Sequence, residues 1–158
     1  MSAAMPPGMA NYGARRARVL AAMPAGAVAV LGTAPEVARN SDSDYPYRHD
    51  SYFYYLTGFA EPESVVVLVA ARGDDAPARA ILFCRQKNVE REIWEGFRHG
   101  PDAARAAFGF DAAFPIEDLD GEITKLLADA PALYCALASN PALDAQIKLW
   151  LGLSLIHI

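Results

Sequence analysis

The segment Ser64–Ala71 reads SVVVLVAA, with no polar side chain after its serine. A strand with one wet face alternates apolar and polar residues; this one does not, so both of its faces must be buried. Its four valines suit an extended backbone better than a helix. A chain that contains such a central strand has to build a sheet around it and cover that sheet with further layers.

Other segments supply those neighbours. Ala27–Leu31 (AVAVL) is a second buried run, and Ala78–Cys84 a third. The second half of the central strand and Ala78–Cys84 are separated by Gly73-Asp74-Asp75-Ala76-Pro77, a turn-rich link that predicts a hairpin. Leu133–Ala136 reads as one more strand. Helical periodicity covers Tyr12–Met23, Asp102–Phe108 and Ile116–Ala130, and Asn140-Pro141 opens a helix through Leu151 with an N-cap and a proline at the first helical position. The first helix is expected to turn Arg15, Arg16 and Arg18 outward. Ser51–Phe59 (SYFYYLTGF) is dense in aromatics and is expected to be a strand ending at Gly58. Gly32–Asp50 and the start of the chain through residue 11 carry no regular pattern; the first eleven residues are expected to be a loose arm. The alternation predicts an α/β domain, a mixed β-sheet flanked by helices. At 158 residues, 53% of them hydrophobic, the chain is long and apolar enough for one core of its own.

Charge and motif content exclude several functions. The formal net charge is −5 and no run of Lys and Arg occurs, which argues against binding nucleic acid or an anionic membrane. Apolar runs stay under ten residues, too short for a membrane-spanning helix. The N-terminus lacks the apolar stretch of a secretory signal, and Cys84 and Cys135 form no disulfide framework; together these predict a reducing, cytoplasmic setting. No glycine-rich phosphate cradle follows a strand, and no Gly-x-Ser-x-Gly elbow supplies a nucleophile. The histidines His49, His99 and His157 are not spaced as metal ligands. Among the carboxylates, Asp42 and Asp44 share a loop with Arg39 and Arg48, where an ion pair or a side-chain-capped turn accounts for them as well as chemistry does.

Two stretches are more specific than a core requires. Residues 34–59, APEVARNSDSDYPYRHDSYFYYLTGF, mix Arg, Asp and Tyr in a long loop. Residues 86–100, QKNVEREIWEGFRHG, set Trp94 among Arg91, Glu92, Glu95 and Arg98, a setting suited to an interface anchor or a pocket wall, or to a tryptophan half-covered by its own domain.

In order and spacing these pieces resemble the N-terminal domain of bacterial Xaa-Pro aminopeptidase, the aminopeptidase P family. The matching residues are Ala34-Pro35-Glu36-Val37, Arg39, Asp42-Ser43-Asp44-Tyr45-Pro46-Tyr47-Arg48, Phe53-Tyr54-Tyr55-Leu56-Thr57-Gly58-Phe59, Glu61-Pro62-Glu63 and Glu92-Ile93-Trp94, with Gly96 and Gly100. The resemblance spans about residues 12–152, more loosely after Phe110. It implies a domain that precedes a catalytic "pita-bread" domain, where two manganese ions are held by two Asp, two Glu and one His and a bond before proline in second position is hydrolysed. None of those ligands maps onto this chain, so the family resemblance implies no catalytic and no metal residue here, and predicts that these 158 residues alone are inactive and bind no manganese. It implies instead that the domain supports a homo-oligomer, a tetramer, and helps to close a neighbouring subunit's site for peptides with proline second. In that role Trp94 and Asp42 would line the substrate pocket, with Arg39, Tyr45 and Arg48 supporting the loop. A non-peptidase pita-bread relative, or a free-standing interaction module, would carry a similar domain.

The last six residues, Leu153-Ser154-Leu155-Ile156-His157-Ile158, depart from the Ala/Asp/Arg-rich style before them. They match the in-frame translation of a transposon end used in preparing sequencing libraries. Residues 153–158 are therefore expected to be adapter-derived, with the natural continuation of the domain lost after Gly152.

Overall fold

The computed structural model describes residues 9–40, 43–44, 46–136 and 140–156. The apolar runs become strands β1 (Val28–Gly32), β4 (Val65–Val69) and β5 (Arg79–Cys84). Two shorter strands, β6 (Ala112–Pro115) and β7 (Leu133–Cys135), complete a sheet of order β6-β5-β4-β1-β7. The run that constrains the fold lies at its centre. β4 pairs antiparallel with β1 (Val67 opposite Val30) and with β5 (Val67 opposite Ile81). The outer pairs, β1 with β7 and β5 with β6, are parallel, so the sheet is mixed. A small separate ribbon joins β2 (Ala38–Asn40) to β3 (Ser43–Asp44).

Successive β4 residues enter opposite cores, as the period of two requires. Val65 and Val67 join Val28, Val30, Ile81 and Phe83 on the face covered by α5 (Leu119–Leu127) and α6 (Pro141–Ile156). Val66 and Leu68 join Ala29, Leu82 and Cys84 on the other, against Phe53, Phe59 and Phe108. Those aromatics come from α2 (Ser51–Thr57), the segment after it, and α4 (Pro101–Phe108), beside α1 (Met9–Ala22). The helix α3 (Val89–Glu95) buries none of its residues.

Several expectations are corrected. Ser51–Phe59 is not a strand. Asp50 accepts the Phe53 amide at 2.9 Å, and Gly58, at φ 68°, ends the helix by returning its N–H to the Tyr54 carbonyl. The caps set a helical period that buries Phe53, Leu56 and Thr57 and leaves Tyr52 and Tyr55 exposed. Aromatic content was the weaker signal, because β-propensity measures fit to a packed surface and not backbone preference.

Arg16, expected on an outer face, is buried at 4% exposure. The helix that carries it begins at Met9, three residues before the expected start, and residues 1–8 of the expected arm lie outside the described residues. Helix α3 and strand β6 were unforeseen. Helix α6 opens as expected, with Asn140 Oδ1 accepting the Leu143 amide at 3.2 Å, but runs past Leu151 to Ile156. It therefore enters the stretch 153–158; residues 157–158 lie outside the described residues.

Candidate functional site

Because β4 is antiparallel to both of its neighbours, β1 and β5 run the same way and their C-terminal ends share one edge of the sheet. The segment 33–50 leaves β1 there and the segment 85–100 leaves β5 there. Between them, residues 61–64 lead into β4. Both unusual sequence stretches thus emerge at a single edge, which the linear sequence alone does not reveal.

Glu61 ties this edge together. Its carboxylate accepts from Arg85 Nη2 at 3.2 Å and from the His99 amide at 3.0 Å, and lies 2.5 Å from His99 Nδ1. The Arg85 and Glu61 side chains are nearly buried, so the pair works in a setting where charge-assisted bonds are strong. The His99 ring stands edge-on to Phe97 and Phe108 and tilted on Phe59, which fixes its plane. On the β1 side, Tyr47 donates to the Ala34 carbonyl at 2.9 Å and lies 2.8 Å from Thr33 Oγ1. Burial pushes the Tyr47 phenol up, partly opposed by the Thr33 bond. A cleft of about 600 Å³ opens beside this pair, walled by Glu36, Glu63 and Glu117 together with Val65, Ile116 and Leu143.

The segment after β5 is built differently. Asn88 caps α3 by accepting the Arg91 amide at 3.1 Å. Glu92 Oε1 accepts from Lys87 Nζ at 2.7 Å and from the Arg98 amide at 2.8 Å, and Lys87 Nζ also donates to the Arg98 carbonyl at 2.7 Å. The Arg98 amide, and secondly Lys87, hold the Glu92 carboxyl below the usual carboxylate range. Arg98 itself is buried and ion-paired with Glu95. On the outside of this polar frame stand Val89, Ile93, Trp94 and Phe97; Trp94 is 88% exposed.

The sequence-selected residues are distributed as follows. Trp94 is on α3 and fully displayed. Arg39 is exposed on β2, and Arg48 is exposed in the segment before α2. Asp42 and Tyr45 lie outside the described residues. Arg39 and Arg48 follow β1 and Trp94 follows β5, two strands that end at the same edge of the sheet. Sequence reasoning missed Glu61, Lys87, Glu92 and Arg98 as the groups that shape that end. Glu92 was visible beside Trp94, but nothing local indicates that its partners sit on both sides of the helix.

Chemically, the edge displays and holds; among its described residues no cysteine is activated as a nucleophile. Burial, with Glu61 adding to it, pushes the Cys84 thiol up to about 12, and burial also raises Cys135. Both cysteines are free. Among the described residues no group of three or more His, Cys, Asp or Glu is placed to hold a metal ion. No helix among them is long and apolar enough to cross a membrane.

Comparison with known proteins gives this geometry a context. The sequence profile described as "Aminopeptidase P, N-terminal domain" matches residues 12–134. The chain is 40% identical over 134 residues to the Xaa-Pro aminopeptidase of Escherichia coli, covering 85% of this chain and 30% of that protein. It is 37% identical over 120 residues to the Haemophilus influenzae Xaa-Pro aminopeptidase, covering 76% and 27%. Among solved structures, the aminopeptidase PepP of Pseudomonas aeruginosa superposes with a TM-score of 0.84 at 39% identity, over 92% of this chain and 32% of that one. A zinc-substituted E. coli aminopeptidase P in complex with product superposes at 0.85 and 35% identity, with the same coverage. The chain therefore spans about a third of the length of the relatives it matches.

Proposed function

Since the chain belongs to the aminopeptidase P N-terminal domain family, we propose that it is the accessory and oligomerisation domain of a Xaa-Pro aminopeptidase, contributing surface to a peptide site whose catalytic groups lie outside it. The observation that carries this reading is Trp94. A large aromatic at 88% exposure, on a helix that buries nothing, has no role in the domain's own core. A polar frame that holds it outward suits a tryptophan that packs against something else. Trp94 and Asp42 line the peptide pocket of a neighbouring subunit, with Arg39, Tyr45 and Arg48 supporting the loop. The assembly is a homo-oligomer, a tetramer, and works in the cytoplasm.

The two manganese ions of the whole enzyme, which would supply an activated water for hydrolysis, belong to the missing catalytic region. The metal use of the family is supported by the zinc-substituted relative, and the described residues here offer no ligand set for it.

The test uses two proteins. The 158-residue chain, given manganese and a peptide with proline second, is expected to show no turnover; the same domain joined to its natural downstream region is expected to release the first residue. In that longer protein, Trp94→Ala is expected to weaken short-peptide substrates and leave metal content unchanged. Metal-dependent hydrolysis by the 158-residue chain would overturn the assignment of catalysis to the missing region, and unaltered kinetics of the Trp94 variant would remove Trp94 from the pocket.

A further inference from the structure

We propose that Glu92 is the positioning residue for Trp94: its carboxylate closes the 87–98 segment into a ring that fixes the direction in which the indole points. The proposal rests on the reading of Trp94 as part of a peptide site, and adds to it the device that makes the tryptophan usable.

Helix α3 has seven residues, too few to be stable by its own hydrogen bonds. Most protein helices of that length are held by an apolar face against the core, yet α3 has no buried residue. Its anchorage is polar. Lys87 precedes the helix and Arg98 follows it, and both donate to the same oxygen, Oε1 of Glu92. Lys87 Nζ then closes the ring by donating to the Arg98 carbonyl. The Glu92 side chain is only 13% exposed, so it points into the segment. Two residues further along a helix lies roughly 200° around it, so a Glu92 held inward turns Trp94 outward.

The base of the ring is pinned as well. His99 is held by Glu61 through amide and ring, and Gly100, at φ 77°, passes so near Lys87 that an added Cβ would come within 2.9 Å of the Lys87 Cβ. These bonds set the course of the backbone and with it the Cα–Cβ direction of Trp94, and Glu92 is their common acceptor.

The test has two arms. In the 158-residue chain, hydrogen exchange and indole ¹⁵N relaxation report the order of the segment; Trp150, whose Nε1–H is bonded to Asp120, serves as an internal control. Glu92→Ala is expected to speed exchange of amides 90–98 about tenfold and to mobilise the Trp94 indole, leaving β4 and β5 protected. Glu92→Gln, which keeps an oxygen acceptor, is expected to fall between. Unchanged exchange and indole order in Glu92→Ala would overturn the proposal.

The second arm uses the natural enzyme with its catalytic region. Glu92→Ala is expected to raise KM for short peptides about tenfold with kcat unchanged, and to add little in a Trp94→Ala background. Additive effects of the two substitutions, or an unchanged KM in Glu92→Ala beside a raised KM in Trp94→Ala, would also overturn it. If Glu92→Ala loosens the segment but Trp94→Ala leaves kinetics untouched, the positioning of the indole by Glu92 stands and the pocket role of Trp94 is what fails.

Discussion

Replacing Arg16 tests how the helical face of the α1 side is held together. The guanidinium of Arg16 donates to the Leu56 carbonyl at 2.9 Å and to the Phe108 carbonyl at 3.0 Å, with Gly109 O at 3.4 Å. Leu56 lies in the last turn of α2 and Phe108 ends α4, so one side chain satisfies carbonyls left over at two helix termini. It also lies 4.4 Å from the centre of the Phe110 ring. In Arg16→Met the two nearest carbonyls lose their donor while remaining buried, at about 1–3 kcal/mol each. The lost contact with Phe110 adds about 1 kcal/mol. Against this stands relief of desolvation: burial holds the Arg16 guanidinium below its ordinary pKa, although Asp111 nearby opposes that shift. The net expected loss is about 3–4 kcal/mol, a large share of the 5–15 kcal/mol typical of such a domain. Urea denaturation followed by circular dichroism measures it directly, and a melting temperature lower by about 10 °C would agree. Arg16→Lys keeps the charge but not the planar fork, and is expected to recover no more than half of the loss. A loss below about 1 kcal/mol in Arg16→Met, or a Lys variant as stable as the parent, would refute the argument that the fork is what joins α2 to α4.

The buried Cys84, with its thiol pushed up to about 12, is expected to resist a disulfide reagent at mildly alkaline pH until the chain unfolds, whereas the half-buried Cys135 reacts first; equal native rates would contradict the burial argument. The Glu92 carboxyl is depressed in the folded chain, so its contribution is present above the unfolded carboxylate range and is lost as pH falls through the folded pKa. Acidification to below the ordinary carboxylate range is therefore expected to raise hydrogen exchange in residues 87–98 ahead of β4 and β5. Simultaneous loss of protection in the sheet and the segment would show that Glu92 is not what closes it.

The sheet was largely legible because its information is local. Ser64–Ala71 announces burial on both faces within eight residues, and the turn at 73–77 sets its pairing with β5. Asn140-Pro141 marks the start of α6 in two. At Ser51–Phe59 the deciding signals are also local: Asp50 and Gly58 bracket a helix, and these caps outweigh the strand preference of the aromatics between them. β6 escaped notice because AAFP is too short to show a period, and its strand character comes from pairing with Ile81–Cys84 about thirty residues away. At the candidate site, Trp94 stood out by its charged surroundings. The groups that present it did not, since Glu61 meets His99 across 38 residues of sequence.

The amino-acid sequence alone determined that a valine-rich central strand would be sheathed by helices, and it carried the motifs that identify the family. These depend on side-chain chemistry repeated at short spacing, which any fold of the chain has to satisfy. Tertiary structure alone decided that Arg16 turns inward, that the segments after β1 and β5 meet at one edge, and that Glu92 closes the segment displaying Trp94. Polar donors and acceptors such as these are satisfied by whichever partner the folded chain brings within about 3 Å. For Arg16 that partner is 92 residues away along the chain.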